Sequence, residues 1–153
     1  VYGADEHYFF SGIGADTDYS RRLAHANGRY GSDLLIGPQT YHLVRDAFEV
    51  RPLEMFFDPE TKLMTEIYQL LAPADSYSEA EREKRDLFWK GVIFLREEKY
   101  EEALDHLSRA RSSGIDDRPL DFFISQAQAG LADAFGEGHE VTPGRHARLI
   151  NLM

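Results

Sequence analysis

The chain has 153 residues, of which 42% are hydrophobic and 29% are charged, and these proportions are typical of a globular protein. Its formal net charge of -10 argues against binding to nucleic acid or to an anionic membrane surface, since both require clustered lysine and arginine. The absence of cysteine excludes disulfides and zinc–thiolate sites, and no apolar run approaches the roughly 18 residues of a membrane span.

The first segment of the chain begins with a predicted hairpin and a predicted helix. The aromatic run at residues 7–12 is bounded by glycine and predicts a strand, with residues 1–3 as the end of its hairpin partner. Asp16 then predicts the N-cap of a helix, because apolar residues recur at helical spacing after it. Gly28 predicts the end of this helix. Its expected core face comprises Tyr19, Leu23 and Ala26.

Two short elements and two longer strands follow. Residues 33–37 include a brief apolar run that predicts a buried strand, and Pro38 predicts the first turn of a second helix. The stretches 48–57 and 63–71 predict two strands joined by a turn at residues 58–60. Strands interleaved with helices in this way predict an α+β fold in which the helices cover one face of a sheet.

From Ser78 onward the hydrophobic period is helical, which places a boundary in the polar stretch 73–80. Two apolar stripes separated by a break at residues 97–99 predict a helical hairpin. The stripes are Leu87, Gly91 and Phe94, then Tyr100, Ala103, Leu104, Leu107 and Ala110. Gly114 predicts the end of the second helix and Pro119 the start of a third. The expected organisation is one domain over 1–72, helices over 80–135 and an irregular tail over 136–153.

The helical segment resembles a tetratricopeptide repeat in the spacing of its small and large apolar residues. In such a repeat a small residue on the first helix lets the second helix approach, which would place Gly91 against Ala103. A second repeat about 34 residues later would need an alanine at position 137, where the chain has Glu137. Such arrays require roughly three repeats, so a plain helical hairpin packed on the first domain is the alternative. In either case we expect the segment to bind a partner protein rather than to catalyse a reaction.

A string of short motifs runs through the first segment over about seventy residues, and none of them is specific alone. The positions are Gly14, Asp18, Arg22-Leu23, Tyr30-Gly31, Leu34-Leu35-Ile36, Thr40-Tyr41, Phe48, Arg51-Pro52-Leu53 and Ile67-Tyr68. In this order and spacing they resemble the C-terminal half of a class III adenylate or guanylate cyclase catalytic domain. The resemblance implies the C-terminal half of a ferredoxin-like α+β sandwich.

In that family two domains pair, and the nucleotide binds at their interface. The resemblance implies that Arg22 neutralises charge on the phosphates, and it places Asp18 where the family has an asparagine that positions the ribose. It also implies that Ser11 contacts the purine base and that Lys62 is the lysine of the base-reading loop. The family's aspartates for Mg²⁺ or Mn²⁺ belong to its other half, so an active enzyme would take them from an upstream or partner domain.

The charge of Asp18 bears on whether the nucleotide site is degenerate or active. Beside a polyphosphate, its charge would cost roughly 4 kcal/mol at about 4 Å and an effective dielectric constant of about 20. Without a nucleotide, the spacing of Asp18 and Arg22 predicts a surface ion pair worth roughly 0.2 to 0.5 kcal/mol. We therefore expect a degenerate site in a signalling protein with a regulatory or dimerisation role. The alternative is an active cyclase that makes cyclic AMP or cyclic GMP from ATP or GTP.

The expected partners follow from the same two segments. Half a sandwich leaves a sheet edge or an apolar face uncovered, so we expect a homodimer or heterodimer through residues 1–72, or an upstream segment, to cover it. We expect a protein partner on the helical segment and no membrane contact by this chain. Because the sequence starts at Val1, we expect a piece of a longer cytoplasmic protein, with an upstream membrane anchor as the open alternative.

Overall fold

The computed structural model describes residues 2–4, 7–9, 15–58 and 62–136. Its elements in chain order are β1 (Tyr2–Ala4), β2 (His7–Phe9), α1 (Ala15–Tyr30), β3 (Leu35–Ile36), α2 (Pro38–Val44), β4 (Phe48–Asp58), β5 (Leu63–Pro73), α3 (Glu79–Arg96), α4 (Tyr100–Ala110) and α5 (Arg118–Gly136). A short 3₁₀ turn, Ala74–Ser76, lies between β5 and α3. Helices and antiparallel strands occur together in the described chain, and the predicted α+β class is confirmed.

A three-stranded antiparallel sheet with the order β3-β5-β4 lies in the first segment. β4 and β5 pair along their whole length, apart from two register shifts. β3 is short and pairs only through Leu35 with Gln69 and Ile36 with Tyr68. β1 and β2 pair antiparallel with each other and form a sheet of their own. The middle strand, β5, therefore has a strand on both sides only around Tyr68 and Gln69.

Helices pack on both faces of the three-stranded sheet. On one face Ile67 is buried in the same cluster as Ala26 of α1. On the other face the ring of Tyr68 stacks on Tyr41 of α2, with 4.2 Å between ring centroids. The prediction that helices cover one face is therefore wrong, because consecutive strand residues point to opposite faces and β5 is buried at three consecutive positions, Ile67, Tyr68 and Gln69.

The helix α1 extends beyond its predicted end. Gly31 has a φ of +66°, and its N–H donates to the carbonyl of Asn27 at 2.8 Å. This left-handed residue ends the helix, so the prediction that Gly28 ends it is wrong. A Cβ built at Gly28 would meet no atom within 4 Å, so the helix continues through it without crowding. At the other end, α1 begins at Ala15, one residue before Asp16, the predicted N-cap.

The helices α3 and α4 form the predicted hairpin. Ser78 and Glu81 make a capping box at the start of α3, within the stretch predicted as a polar linker. The buried residues of α4 are Ala103, Leu107 and Ala110, as predicted. The buried residues of α3 are Phe88, Gly91 and Val92. The stripe predicted on α3 is therefore displaced, and its Leu87 and Phe94 are only partly buried beside the core.

Gly91 lies against α4 at Leu107. A Cβ built at Gly91 would lie 2.6 Å from Cγ of Leu107 and 3.2 Å from its backbone nitrogen. The expectation that Ala103 makes this contact is therefore wrong, although Ala103 is fully buried. The two helices meet one turn further along α4 than the repeat spacing predicts.

The connections between helices fall close to their predicted positions. α3 ends at Arg96 and α4 begins at Tyr100, which confirms the break at residues 97–99. α4 ends at Ala110, so Gly114, with a φ of +75°, lies in the loop and does not end the helix. α5 begins at Arg118 and ends at Gly136. The predicted irregular tail beyond Gly136 lies outside the described residues.

The two segments predicted as separate domains share one hydrophobic core. A single cluster joins Leu53 and Ile67 of the sheet to Phe88 of α3, Leu107 of α4 and Leu120 of α5. Each of these side chains is almost completely buried. The helical segment is therefore packed directly on the sheet, and any movement between them must break apolar contacts.

Candidate functional site

Asp18 and Arg22, the predicted catalytic residues, lie on α1 and do not pair with each other. Asp18 accepts a hydrogen bond from Nη1 of Arg21 at 2.8 Å, and these two side chains are 54% and 61% exposed. Arg22 is half-buried and has no ion pair within the described residues. The predicted Asp18–Arg22 pair is therefore wrong, because Arg21, three residues from Asp18, is also its neighbour on the helix surface and is more exposed.

Of the two predicted base-binding residues, the structure describes only Lys62, and Lys62 is not bonded to α1. Lys62 lies in the turn before β5, where it is exposed and has a φ of +56°. No hydrogen bond or ion pair connects Lys62 to α1 in the part of the chain that the structure describes. Ser11 lies outside the described residues. Among the described residues, Asp18 and Arg22 therefore share one helix, and Lys62 lies in a separate turn.

A buried arginine on β4 joins the sheet to the helices. Arg51 donates from Nη1 and Nη2 to the two carboxylate oxygens of Asp117, at 2.8 and 2.7 Å. Its Nε donates to Oε1 of Gln69 at 2.9 Å, and its guanidinium lies 4.2 Å from the ring centroid of Phe88. The sequence prediction used Arg51 only as a motif position. The available signal was a charged residue in a strand whose neighbours are apolar, since such residues are buried only when paired.

Asp117 binds Arg51 and caps α5 at the same time. Its Oδ1 accepts a hydrogen bond from the N–H of Leu120 at 3.1 Å, and its carbonyl accepts one from Asp121 at 3.0 Å. Burial opposes ionisation of this carboxyl, but the hydrogen bonds and charge of Arg51 outweigh burial and lower the pKa of Asp117. One carboxylate therefore fixes the start of α5 on the sheet.

Further ion pairs fix both ends of α3 on the strands. Glu49, buried on β4, accepts hydrogen bonds from Nε of Arg82 at 3.0 Å and from Nη1 of Arg85. At the other end of the helix, Arg96 pairs with Glu66 of β5 at 2.7 Å. α3 therefore has charged contacts with the sheet near both of its ends.

A cavity of about 490 Å³ lies beside the Arg51–Asp117 pair, between the sheet, α3 and the loop before α5. Lys84, on its wall, donates from Nζ to the carbonyls of Arg109 and Arg111, at 2.6 and 3.0 Å. The lining contains as many acidic as basic side chains, and Arg51 is already bound by Asp117. Such a lining does not favour a polyphosphate, which attracts uncompensated cations.

Apolar side chains remain exposed where β4 and β5 extend past β3. On one face this surface, which we name the apolar end of the hairpin, comprises Met55, Phe57 and Met64, and the exposed Leu63 lies on the opposite face. Phe57 pairs with Met64 across the strands, so these two side chains share a face. It is the face that α2 covers further along β5, at Tyr68. These apolar side chains therefore remain in contact with solvent among the described residues.

Comparison with known proteins finds no match to a family model, to a curated protein or to a solved structure. No described helix is both long and apolar enough to cross a membrane. Among the described residues, no cluster of acidic or histidine side chains is arranged to hold a metal ion. The cyclase resemblance and the roles it implies for Arg22, Asp18, Ser11 and Lys62 therefore stay predictions.

Proposed function

We propose that this chain is part of a class III cyclase-like signalling protein, located in the cytoplasm, whose nucleotide site is degenerate. In this proposal residues 1–72 correspond to the C-terminal half of the ferredoxin-like catalytic domain. The segment acts as a regulatory or dimerisation module rather than as a catalyst. The helical segment, similar to a tetratricopeptide repeat, binds a partner protein.

The order of elements supports the first part of the proposal. The helix with Asp18 and Arg22 is followed by a glycine that ends it, a short buried strand, a helix opened by proline and two long antiparallel strands. This is the order expected from the motif string. Arg51 and Tyr68 lie on the two long strands, which pair with each other.

The pairing of Asp18 carries the second part of the proposal. Its carboxylate lies where the family has a neutral amide, and it is bound to Arg21 at 2.8 Å. A triphosphate at this surface would meet an added negative charge, with a repulsion of roughly 4 kcal/mol at about 4 Å and an effective dielectric constant of about 20. It would also compete with Asp18 for Arg21. Nucleotide binding is therefore disfavoured on α1.

The cyclic-nucleotide assay of the full-length protein tests this proposal. We expect no cyclic AMP or cyclic GMP from ATP or GTP with Mg²⁺ or Mn²⁺. Asp18→Asn alone should not restore turnover, because the turn expected to hold the lysine also departs from the family pattern. The control is Arg22→Ala. Turnover that disappears with Arg22→Ala would contradict the proposal and establish the alternative, an active cyclase with metal aspartates from an upstream or partner domain.

A further inference from the structure

The loop between α4 and α5 presents a serine that follows two arginines. α4 ends at Ala110 and α5 begins at Arg118, so Ser112 belongs to neither helix. Arg109 and Arg111 precede it by three residues and by one. Ser112 is half-buried on the wall of the cavity, and its neighbours on both sides in the loop are exposed. Its hydroxyl makes no hydrogen bond within the described residues, so it is available for modification.

The two arginines are accessible to a second protein. Arg109 pairs with Asp105 at 3.1 Å, and these side chains are 58% and 60% exposed. Arg111 binds Asp121 of α5, and this pair is about half exposed. Because water screens such pairs, they are weak, and each arginine can exchange its carboxylate for one on another protein. Protein kinases select substrates by the charges around the reacting hydroxyl, and this pattern suits a kinase with an acidic substrate groove.

Acidic residues follow the second serine of the loop and suit a kinase of the opposite preference less well. Asp116 and Asp117 come three and four residues after Ser113. Asp117 is bound through both carboxylate oxygens to the buried Arg51, so a kinase could read it only by breaking that pair. The exposed arginines therefore favour Ser112 and an arginine-directed kinase.

A phosphate on Ser112 would have a cation beside it. Lys84 of α3 donates from Nζ to the carbonyls of Arg109 and Arg111, and Arg111 is the residue before Ser112. Both acceptors are neutral, and Lys84 has no carboxylate partner among the described residues. An ammonium group has three donors, so one remains for a phosphate oxygen. Lys84 can therefore compensate part of the charge of a phosphoserine, which is roughly -1.5 to -2 at neutral pH.

We propose that Ser112 is a phosphorylation site for an arginine-directed serine kinase and that its phosphate binds Lys84. In this reaction Oγ of Ser112 attacks the γ-phosphorus of ATP, the bond to ADP breaks, and the hydroxyl proton passes to a base of the kinase. The phosphate then links the α4–α5 loop to α3, beside the Arg51–Asp117 pair that holds α5 on the sheet. Its use in signalling rests on the proposed function, whereas the modification rests on the loop and Lys84.

Phosphorylation of the 153-residue chain in vitro tests the site. The probe is the purified catalytic domain of an arginine-directed serine kinase with magnesium and ATP, and mass spectrometry locates the phosphate. We expect one main site at Ser112, no such site in Ser112→Ala, and a rate at least about tenfold lower for Arg109→Gln. The matched control, Ser113→Ala, should react as the wild type does. A wild type without phosphate, or with its phosphate on Ser113, would overturn the proposal.

Urea denaturation tests the contact with Lys84. Phosphorylation should raise the midpoint of the wild type by about 0.5 M, because the new charge-assisted contact exists only in the folded state. The shift should persist in Lys84→Arg and be much smaller in Lys84→Met. Each variant is compared with its own unphosphorylated form, which removes the effect of the substitution itself. An equal shift in Lys84→Met, or a lower midpoint for the phosphorylated wild type, would overturn the contact. Cyclase turnover, by contrast, bears on the proposed function alone.

Discussion

Two arginine–aspartate pairs in this molecule differ in what surrounds them. Asp18 and Arg21 lie on the surface of α1, where water screens both charges. Arg51 and Asp117 connect β4 to the start of α5, and the arginine is 9% exposed. The buried pair uses both carboxylate oxygens, and its guanidinium also contacts Gln69 and the ring of Phe88. An arginine and an aspartate therefore form a buried ion pair between the sheet and α5 in one place, and an exposed ion pair on a helix surface in the other.

The two pairs should therefore contribute differently to the stability of the fold. Removing one partner of a buried pair leaves the other charge buried and uncompensated. When one partner of an exposed pair is removed, water hydrates the charge that remains. The surface predicted to bind a nucleotide contains the weak pair. The strong pair lies between the two segments predicted as separate domains. The charged residues on which the fold depends most are therefore those that hold the helical segment on the sheet.

The largest effect on stability is expected at the buried Arg51–Asp117 pair. Asp117→Asn keeps a good N-cap for α5 but removes the charge that compensates Arg51, so unfolding should require about 3 kcal/mol less free energy. Urea denaturation followed by circular dichroism measures this change. The control is Asp116→Asn in the same loop, whose side chain is exposed and 3.7 Å from Arg118, and its effect should be below about 0.5 kcal/mol. Equal effects would contradict the account of the buried pair.

A glycine-to-alanine substitution should lower the stability of the protein in α3 and raise it in α1. Gly91→Ala introduces a Cβ within 2.6 Å of Leu107 and should destabilise the protein by roughly 1 to 3 kcal/mol through overpacking. Gly28→Ala introduces a Cβ into open space inside α1 and should stabilise it by about 0.5 to 1 kcal/mol through helix propensity. Thermal melts compare the two variants directly. Stabilisation by both would contradict the close contact of α3 with α4.

The stability contributed by Asp117 should depend on pH. Its pKa in the folded protein is lower than the ordinary value of 3.8, so the folded state favours the ionised carboxylate. This contribution is fully present above the unfolded pKa and is lost as pH falls through the lower folded pKa. The difference in unfolding free energy between the wild type and Asp117→Asn should therefore shrink as the pH is lowered below 3.8. A difference that grows on acidification would mean that the sign of the shift is wrong.

The smallest effect is expected on α1. Asp18→Asn removes the exposed contact with Arg21 and should change the free energy of unfolding by less than about 0.5 kcal/mol. The same urea titration used for Asp117 measures it. A loss of several times that size would show that Asp18 has a structural role that the exposed pair does not explain.

Local sequence patterns predicted most helices and strands. The Arg51–Asp117 ion pair depends on a contact between distant residues, which local patterns do not contain. Pro38, the break at residues 97–99 and the two long strands were predicted from turn residues and apolar periods. The sequence predicts Gly28 as the end of α1, and only the backbone shows that Gly31 has the positive φ that ends the helix. Arg51 and Asp117 lie 66 residues apart, so nothing in either local sequence predicts their pairing.

Local sequence patterns also predicted only part of the candidate site. The motif string identified Asp18 and Arg22 as neighbours on one helix, which the structure confirms. It could not predict which arginine binds Asp18, since Arg21 and Arg22 both lie within reach on a helix and partial burial of Arg22 depends on tertiary packing. An uncovered sheet edge or apolar face stays a prediction, and among the described residues β3 pairs with β5 at two positions only.

Double-mutant cycles on the two pairs test the central comparison most directly. One cycle combines Arg51→Met with Asp117→Asn, and the other combines Arg21→Met with Asp18→Asn, with each free energy of unfolding measured in urea at neutral pH. We predict a coupling energy of about 2 to 3 kcal/mol for the buried pair and below about 0.5 kcal/mol for the surface pair. Equal coupling energies in the two cycles would contradict the account.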